Sequence, residues 1–365
     1  MKTYPLTSLT IEEATQLQFK LVDSITRFFP GNEILTRGDL GVVKGLNQPE
    51  FTKKVEEVLA DFFEAESAML VRGSGTNAIR LALYGSVGTN GTLLVHEAVI
   101  YPTTQVSIDM LGIKIIRADF NDLEALKTAV SNEKLDGVLV QVTRQKIDDS
   151  YDLEEVIKTI RGISESLPIV TDDNYSAMKT KGIGTQFGGS LACFSTFKLL
   201  GPEGVGCIVG DSRYINKLKQ DNYSGGGQVQ GHEALDVLKG LIYAPVSLAI
   251  SAQVSEVLCA KINEGEIEGL EEAFVVNAQS KVVVIQLKEN NAREVIDAAT
   301  KLGALPHPVG AESQYEFSPL VYRVSGTFRA TNPEAEHSMI RINPNRAGVE
   351  TIIRILKEAM TIVKK

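Results

Sequence analysis

The stretch Cys193-Phe-Ser-Thr-Phe-Lys-Leu-Leu-Gly-Pro-Glu-Gly-Val-Gly206 decides how this chain is read. An apolar run with the composition of a buried strand leads into Lys198, and a turn rich in glycine and proline follows at once. Burying an isolated ammonium is costly, so lysine is rarely taken inside unpaired. A surface position at a strand end is one explanation for Lys198. A lysine held as a Schiff base with a carbonyl compound, which carries no free ammonium, is another. The rest of the chain has to choose between them.

On both sides of this stretch, short apolar runs alternate with helical patterns. Strand-like runs fall at 68–71, 92–95, 113–116, 137–142, 168–171, 191–196 and 205–209, with helical patterns at 77–84, 123–130 and 153–164 between them. Such alternation predicts βαβ units: a large α/β domain on a seven-stranded, mostly parallel sheet. Upstream, 10–29 reads as a first helix, and Phe51, Val55, Val58, Leu59, Phe62 and Phe63 give 50–63 an amphipathic helical spacing. Downstream of Pro245 a long helical stretch reaches about Gly265. Strand-like runs at 281–287, 319–324 and 338–342 and a helix at 349–363 then predict a smaller α+β domain. The expected organisation is an N-terminal arm and helix over 1–45, a large cofactor-binding α/β domain over 46–245, and a small C-terminal α+β domain over 246–365.

Composition narrows the class of function. The 365 residues carry 37 Lys and Arg against 46 Asp and Glu, a net charge of −9, so no basic face is expected to neutralise nucleic-acid phosphates. The start, MKTYPLTSLTIEEATQ, lacks a signal-peptide core, and no run reads as membrane-spanning. Cys193, Cys207 and Cys259 match no zinc spacing and read as small buried hydrophobes in a reducing cytoplasm. The four histidines are scattered, so no metal site is expected.

Two further motifs bear on Lys198. Gly73-Ser-Gly-Thr-Asn-Ala78 lies between a strand and a helix, where backbone N–H groups and the positive end of the helix dipole cradle phosphate. The spacing also fits the dinucleotide fingerprint G-x-G-x-x-A, with Glu97 as the acid nineteen residues later, so an NAD-dependent dehydrogenase is the competing reading. A plain tight turn is the bland one. Pro168-Ile-Val-Thr-Asp-Asp-Asn-Tyr175 is an apolar strand running into two acids. In a doubly wound sheet ligands bind beyond the carboxyl ends of the strands, which places Asp172 at the same edge as Lys198. There it could pair with a protonated pyridine nitrogen; alone, a turn or N-cap role explains both aspartates.

Taken in order, Gly-Ser-Gly-Thr-Asn-Ala, Thr-Asp-Asp-Asn-Tyr and Ser-Thr-Phe-Lys-Leu-Leu-Gly-Pro-Glu-Gly resemble the fold-type I pyridoxal-phosphate enzymes, in particular the class V aminotransferase and selenocysteine-synthase-like group. The resemblance spans nearly the whole chain. It implies pyridoxal 5'-phosphate as cofactor, with Lys198 as the Schiff-base lysine and later the base at Cα, and Asp172 as the pyridinium partner. Gly75, Thr76, Asn77 and Ser195 would hold the phosphate, and Tyr101 would set its ring against the cofactor face, with His96 nearby. Arg341 would bind the substrate carboxylate, with Arg346 and Arg329 as rivals, and Arg144 and Tyr175 would stand near the substrate. Arg37 and the loop Ser224-Gly-Gly-Gly-Gln228 resemble segments that reach a neighbouring subunit's cofactor, so a homodimer with a shared site is implied.

Departures limit what carries over. Tyr175 differs from the histidine of some relatives, and Gln141-Val-Thr-Arg144 replaces the Asn-Pro of the aminotransferases proper. The implied function is therefore an amino-acid-directed enzyme working through an external aldimine and Cα deprotonation. It would be either aminotransferase-like or a lyase eliminating at Cβ or Cγ; a non-catalytic protein of the same fold is the third possibility. Ser195-Thr-Phe-Lys198 also spells S-x-x-K, but the partner motifs S-D-N and K-T-G are missing.

Overall fold

The computed structural model describes residues 2–222, 226–277, 281–310 and 312–364. The chain divides into two compact units. The larger comprises Thr15–Thr143 and Ser150–Pro245, the smaller Met1–Ala14, Arg144–Asp149 and Val246–Lys365. The expected 1–45 segment is thus split at Ala14 between the two.

The larger unit is built on seven strands: β1 (Ser67–Arg72), β2 (Thr92–His96), β3 (Lys114–Ala118), β4 (Gly137–Gln141), β5 (Ile169–Asp172), β6 (Leu191–Ser195) and β7 (Val205–Gly210). Their order across the sheet is β1-β7-β6-β5-β4-β2-β3. Only β7 runs against its neighbours, so β1 points the same way as β2 to β6. The runs are continuously apolar because helices cover both faces. Side chains alternate between faces accordingly: Leu93 and Val95 join Met69, Val71, Ile79 and Leu83 on one side, while Leu94 joins Phe120, Val138, Val140 and Ile157 on the other. Each such buried side chain contributes roughly 1.5–3 kcal/mol by leaving water. The edge strand β1 has a bare backbone N–H satisfied by a side chain: Glu56 Oε1 accepts from Leu70 N at 2.9 Å, and its Oε2 is paired with Lys219 at 2.7 Å.

In the smaller unit β8 (Leu270–Asn277), β9 (Lys281–Leu287), β10 (Leu320–Arg323) and β11 (Met339–Asn343) form an antiparallel sheet in the order β10-β11-β9-β8. Helices Ala292–Lys301 and Val349–Val363 close its core through Val295, Ala299, Ile352 and Leu356. The N-terminal residues run beside β8: Thr3 Oγ1 donates to Val275 O at 2.9 Å, and Leu6 N to Asn277 Oδ1 at 2.8 Å.

Two elements depart from expectation. β8 was not anticipated, because Glu271 and Glu272 break its alternation where the ladder shifts register between Leu270 and Glu272. The long helix begins at Gly231 and continues through Pro245 to Asn263, although proline removes one helical hydrogen bond. Contrary to the sequence reading, this helix is long and apolar enough to cross a membrane by length and composition. Over half of its apolar window is buried inside the protein, as in the core helix of a globular chain.

Candidate active site

The carboxyl ends of β1, β5 and β6 and the start of β7 meet at one edge of the large sheet, and the turns that leave them carry the candidate residues. After β1 the backbone turns through left-handed Gly73 (φ 93°) and Ser74 (φ 59°), and both N–H groups donate to Gly204 O, at 2.8 and 2.9 Å. This fastens the turn to the segment that follows Lys198. Helix Ser74–Ser86 starts here, with Gly75 and Thr76 in the first turn, where helical N–H groups lack intrahelical acceptors. Gly75 is required by its surroundings: a Cβ there would lie 2.6 Å from Asn174 Oδ1. Thr76 Oγ1 donates to Thr103 Oγ1 at 3.2 Å. The Asn77 side chain is taken up locally: its Nδ2 donates to Arg72 O at 2.8 Å and closes the turn. Arg72 is in turn fixed by Gln228 O at 3.0 Å and by both carboxylate oxygens of Glu233.

Asp172 ends β5 and is buried. Its Oδ1 accepts from Asn174 Nδ2 at 2.7 Å and from Asn174 N at 3.1 Å. Burial pushes its carboxyl pKa up, and the Asn174 hydrogen bonds and the charge of Lys198 oppose that. The Asn174 side chain also faces β6, where its Oδ1 accepts from Ser195 N at 3.0 Å. Ser195 Oγ lies 2.6 Å from Ser74 Oγ. A continuous polar path therefore runs from Asp172 through Asn174 and Ser195 to Ser74 in the glycine turn. Asn174 and Ser74 were not singled out from the sequence; both stand inside the quoted motifs, as a turn asparagine and a serine between glycines.

Lys198 sits just past β6, on the single 3-10 turn Thr196–Leu199, half-buried rather than within the strand. Left-handed Leu200 and the bond from Gly201 N to Thr196 O (2.9 Å) close that turn. The Lys198 Nζ lies 3.8 Å from the centroid of the Tyr175 ring, and Lys179 Nζ lies 5.2 Å from the same centroid. Asp173 has a separate task. It accepts from Thr171 Oγ1 at 2.5 Å and Gly184 N at 3.1 Å, and burial pushes its pKa up to about 7.

Other sequence candidates fare differently. Tyr101 is 40% exposed at the start of helix Pro102–Met110. His96 is a packing residue: its Nδ1 accepts from Phe120 N at 3.0 Å and its ring lies against Phe120 and Tyr151. The dinucleotide reading fails on topology. Glu97 follows β2, five strand places from β1, and at about 4.8 Å per place that is roughly 24 Å from the glycine turn. A dinucleotide site needs the two strands side by side.

In the smaller unit Arg341 is buried, donates from Nε to Arg323 O at 2.9 Å, and stacks its guanidinium 4.2 Å from the Tyr322 ring centroid. Arg329 is committed to Glu336 through two bonds of 2.9 Å. Arg346 has a desolvated guanidinium beside Glu312 and Glu316. Arg144 Nη2 donates to Tyr4 O at 2.6 Å, so the N-terminal residues take up part of its capacity. In the larger unit Gln141 ends β4 opposite Asp172, and its carbonyl accepts from Tyr151 Oη at 2.5 Å. Arg37 is exposed, Gln228 Nε2 donates to Asn47 O at 3.1 Å, and Ser224 and Gly225 lie outside the described residues. Among the described residues no cluster of His, Cys, Asp and Glu has the makings of a metal site.

Comparison with known proteins adds the following. Residues 256–356 match the family model described as YhfS-like, C-terminal domain. Over 363 residues the chain is 53% identical to protein YhfS of Escherichia coli (strain K12), covering 100% of both chains. A crystal structure of the pyridoxal-5'-phosphate dependent protein YhfS from Escherichia coli matches with a TM-score of 0.97 at 53% identity, covering 99% of this chain and 100% of that one. Cystathionine gamma lyase CalE6 from Micromonospora echinospora matches with a TM-score of 0.73 over 94% of this chain and 99% of its own, at 16% identity. Cystathionine gamma synthase from Xanthomonas oryzae pv. oryzae, solved in complex with cystathionine, matches with a TM-score of 0.69 over 96% and 98%, also at 16%. The last two share the fold.

Proposed function

This chain belongs to the YhfS family, and from that premise we propose that it is a pyridoxal-5'-phosphate-dependent enzyme that removes a leaving group from Cβ or Cγ of an amino acid. The observation that carries the reading is the polar path Asp172–Asn174–Ser195–Ser74, with Lys198 at its side. In one unit the path and Lys198 beside it supply the carboxylate, the amine and the helix start that we assign to the ring nitrogen, the carbonyl and the phosphate.

The residues present fit the group. Gly75 and Thr76 offer main-chain donors at a helix start, and the hydroxyl of Ser195 stands beside that turn, so these would hold the phosphate. Asp172, oriented by Asn174, would hold the ring nitrogen in its protonated form, and Lys198 would hold the group covalently. Bound there, pyridoxal phosphate supplies a carbonyl that condenses with amines and a ring that draws electrons from the bonds around Cα.

Once released, the Lys198 Nζ takes the proton from the substrate Cα and later returns a proton to carbon or to the departing group. Burial favours the neutral form of Asp172, and the Asn174 hydrogen bonds and the charge of Lys198 oppose that shift. Arg341 is the residue we assign to the substrate carboxylate, with Arg144, Tyr175 and the ring of Tyr101 near the substrate. Elimination rather than transamination is supported by Gln141-Val-Thr-Arg144 standing in place of the aminotransferase Asn-Pro. The cystathionine enzymes that share the fold point the same way.

A homodimer is part of the proposal. Leu35 and Leu40 are 79% and 74% exposed on either side of exposed Arg37, an apolar surface suited to a second copy. Cytoplasmic residence is a further part of it, in keeping with three unpaired thiols.

Protein loaded with pyridoxal phosphate and offered single amino acids tests the reading. Release of ammonia and a 2-oxo acid without an added acceptor is the expected result. Amino transfer that needs a 2-oxo acid acceptor would replace elimination by transamination. No change in the cofactor spectrum with any amino acid would remove the enzymatic reading.

A further inference from the structure

Tyr175 carries a conformation that its side chain makes expensive. Its φ is 67°, in the left-handed region that glycine and asparagine tolerate and bulky residues avoid. Main-chain bonds close the loop: Ser176 N and Ala177 N donate to Asp173 O, at 3.1 and 3.0 Å, and Lys179 N to Ser176 O at 2.9 Å. The ring is only half-buried, so packing alone is a weak reason to keep it there. Strain of this kind persists where the surroundings demand it, often at a functional site.

What the strained backbone delivers is a ring face under Lys198, with the Nζ 3.8 Å from the centroid. An aromatic face attracts a cation within about 6 Å and has much less to offer a neutral amine. Lys179, only 6% exposed, contacts the same ring at 5.2 Å, so a second ammonium bears on it from within the loop. Asp172 acts on Lys198 from β5 with opposite charge. Helix Ser74–Ser86 and β7, which also pack on this turn, contribute Arg80, directed to Ser107 Oγ, and the buried thiol of Cys207.

We propose that Tyr175 is a positioning residue for Lys198: its ring face fixes the lysine Nζ and steadies the ammonium that forms when the amine accepts a proton. The role belongs to the ring and not to the phenol oxygen. In the assignment of Lys198 as the working amine the inference rests on the function proposed above.

The test compares Tyr175→Phe, which keeps the ring, with Tyr175→Asn, which removes it and tolerates the left-handed backbone. In protein free of cofactor, Lys198 is labelled competitively with acetic anhydride and read by peptide mass spectrometry, with exposed Lys134 as internal reference. Tyr175→Asn should label Lys198 about tenfold faster than wild type while Tyr175→Phe matches wild type. In protein given pyridoxal phosphate, Tyr175→Asn should show weaker circular dichroism in the visible band, with its melting temperature unchanged or raised by relief of strain. Wild-type labelling and dichroism in Tyr175→Asn overturn the inference, and so does Tyr175→Phe behaving like Tyr175→Asn. Wild-type protein that stays colourless defeats the cofactor assignment instead, while the labelling still decides the position of Lys198.

Discussion

Asn174 Nδ2 donates to Asp172 Oδ1 over 2.7 Å while Asn174 Oδ1 accepts from Ser195 N over 3.0 Å, so a single amide ties the ends of β5 and β6 together. The neighbouring strands bring Asp172 and Lys198 to one edge, and this amide fixes the orientation of the carboxylate at that edge. Gly75 must be glycine for the amide to fit, which links the glycine turn after β1 to the same arrangement.

Asn174→Ala removes a hydrogen bond to a buried carboxylate and leaves the Ser195 N–H without its acceptor. Hydrogen bonds to charged groups contribute about 1.5–3 kcal/mol, so pyridoxal phosphate should bind roughly ten- to a hundredfold more weakly. Titration followed by visible absorbance measures the change, and a thermal melt should show a lower midpoint.

Gly75→Ala places a methyl 2.6 and 2.7 Å from the two polar atoms of the Asn174 amide. Either that amide or the helix start has to move, and overpacking of this kind costs about 1–3 kcal/mol. Denaturant unfolding should show that loss, and pyridoxal phosphate should no longer be retained through gel filtration. Full retention with unchanged stability would mean that the turn yields more readily than its geometry implies.

Asp173 makes the stability of the protein depend on pH. Burial raises its carboxyl from 3.8 to about 7, so folding favours the protonated form. The resulting stabilisation is complete below about pH 4 and is lost as pH rises through about 7. Asp173→Asn resembles the protonated state, can still accept from Gly184 N, and can donate to Thr171 Oγ1. Between pH 5 and 8 wild type should lose about 2 kcal/mol of stability that the variant retains. Unfolding curves at the two pH values measure the difference; parallel behaviour of the two proteins would show that Asp173 stays charged in the fold.

How much of this was legible in the sequence follows from what each residue depends on. Strands buried on both faces advertise themselves as apolar runs, so β1 to β7 could be placed, and Asp172 and Lys198 stood out as polar residues where such runs end. Asn174 could not, because its role lies in an acceptor–donor pair with Ser195, twenty-one positions away. Glu97 misled for a related reason: spacing along the chain says nothing of strand order, and β1 pairs with β7 instead of β2. Asn77 was placed among the phosphate-holding residues by motif, whereas its side chain is taken up locally by Arg72 O. β8 escaped because a bulge and two exposed glutamates disguise its alternation.

The central claim is that Lys198 is the amine that holds the cofactor. Borohydride reduction of the protein loaded with pyridoxal phosphate, followed by peptide mass spectrometry, tests it most directly. The account predicts a phosphopyridoxyl group on the peptide containing Lys198 and none in Lys198→Ala. The same mass found on Lys179 or another lysine, or on no lysine at all, would contradict it.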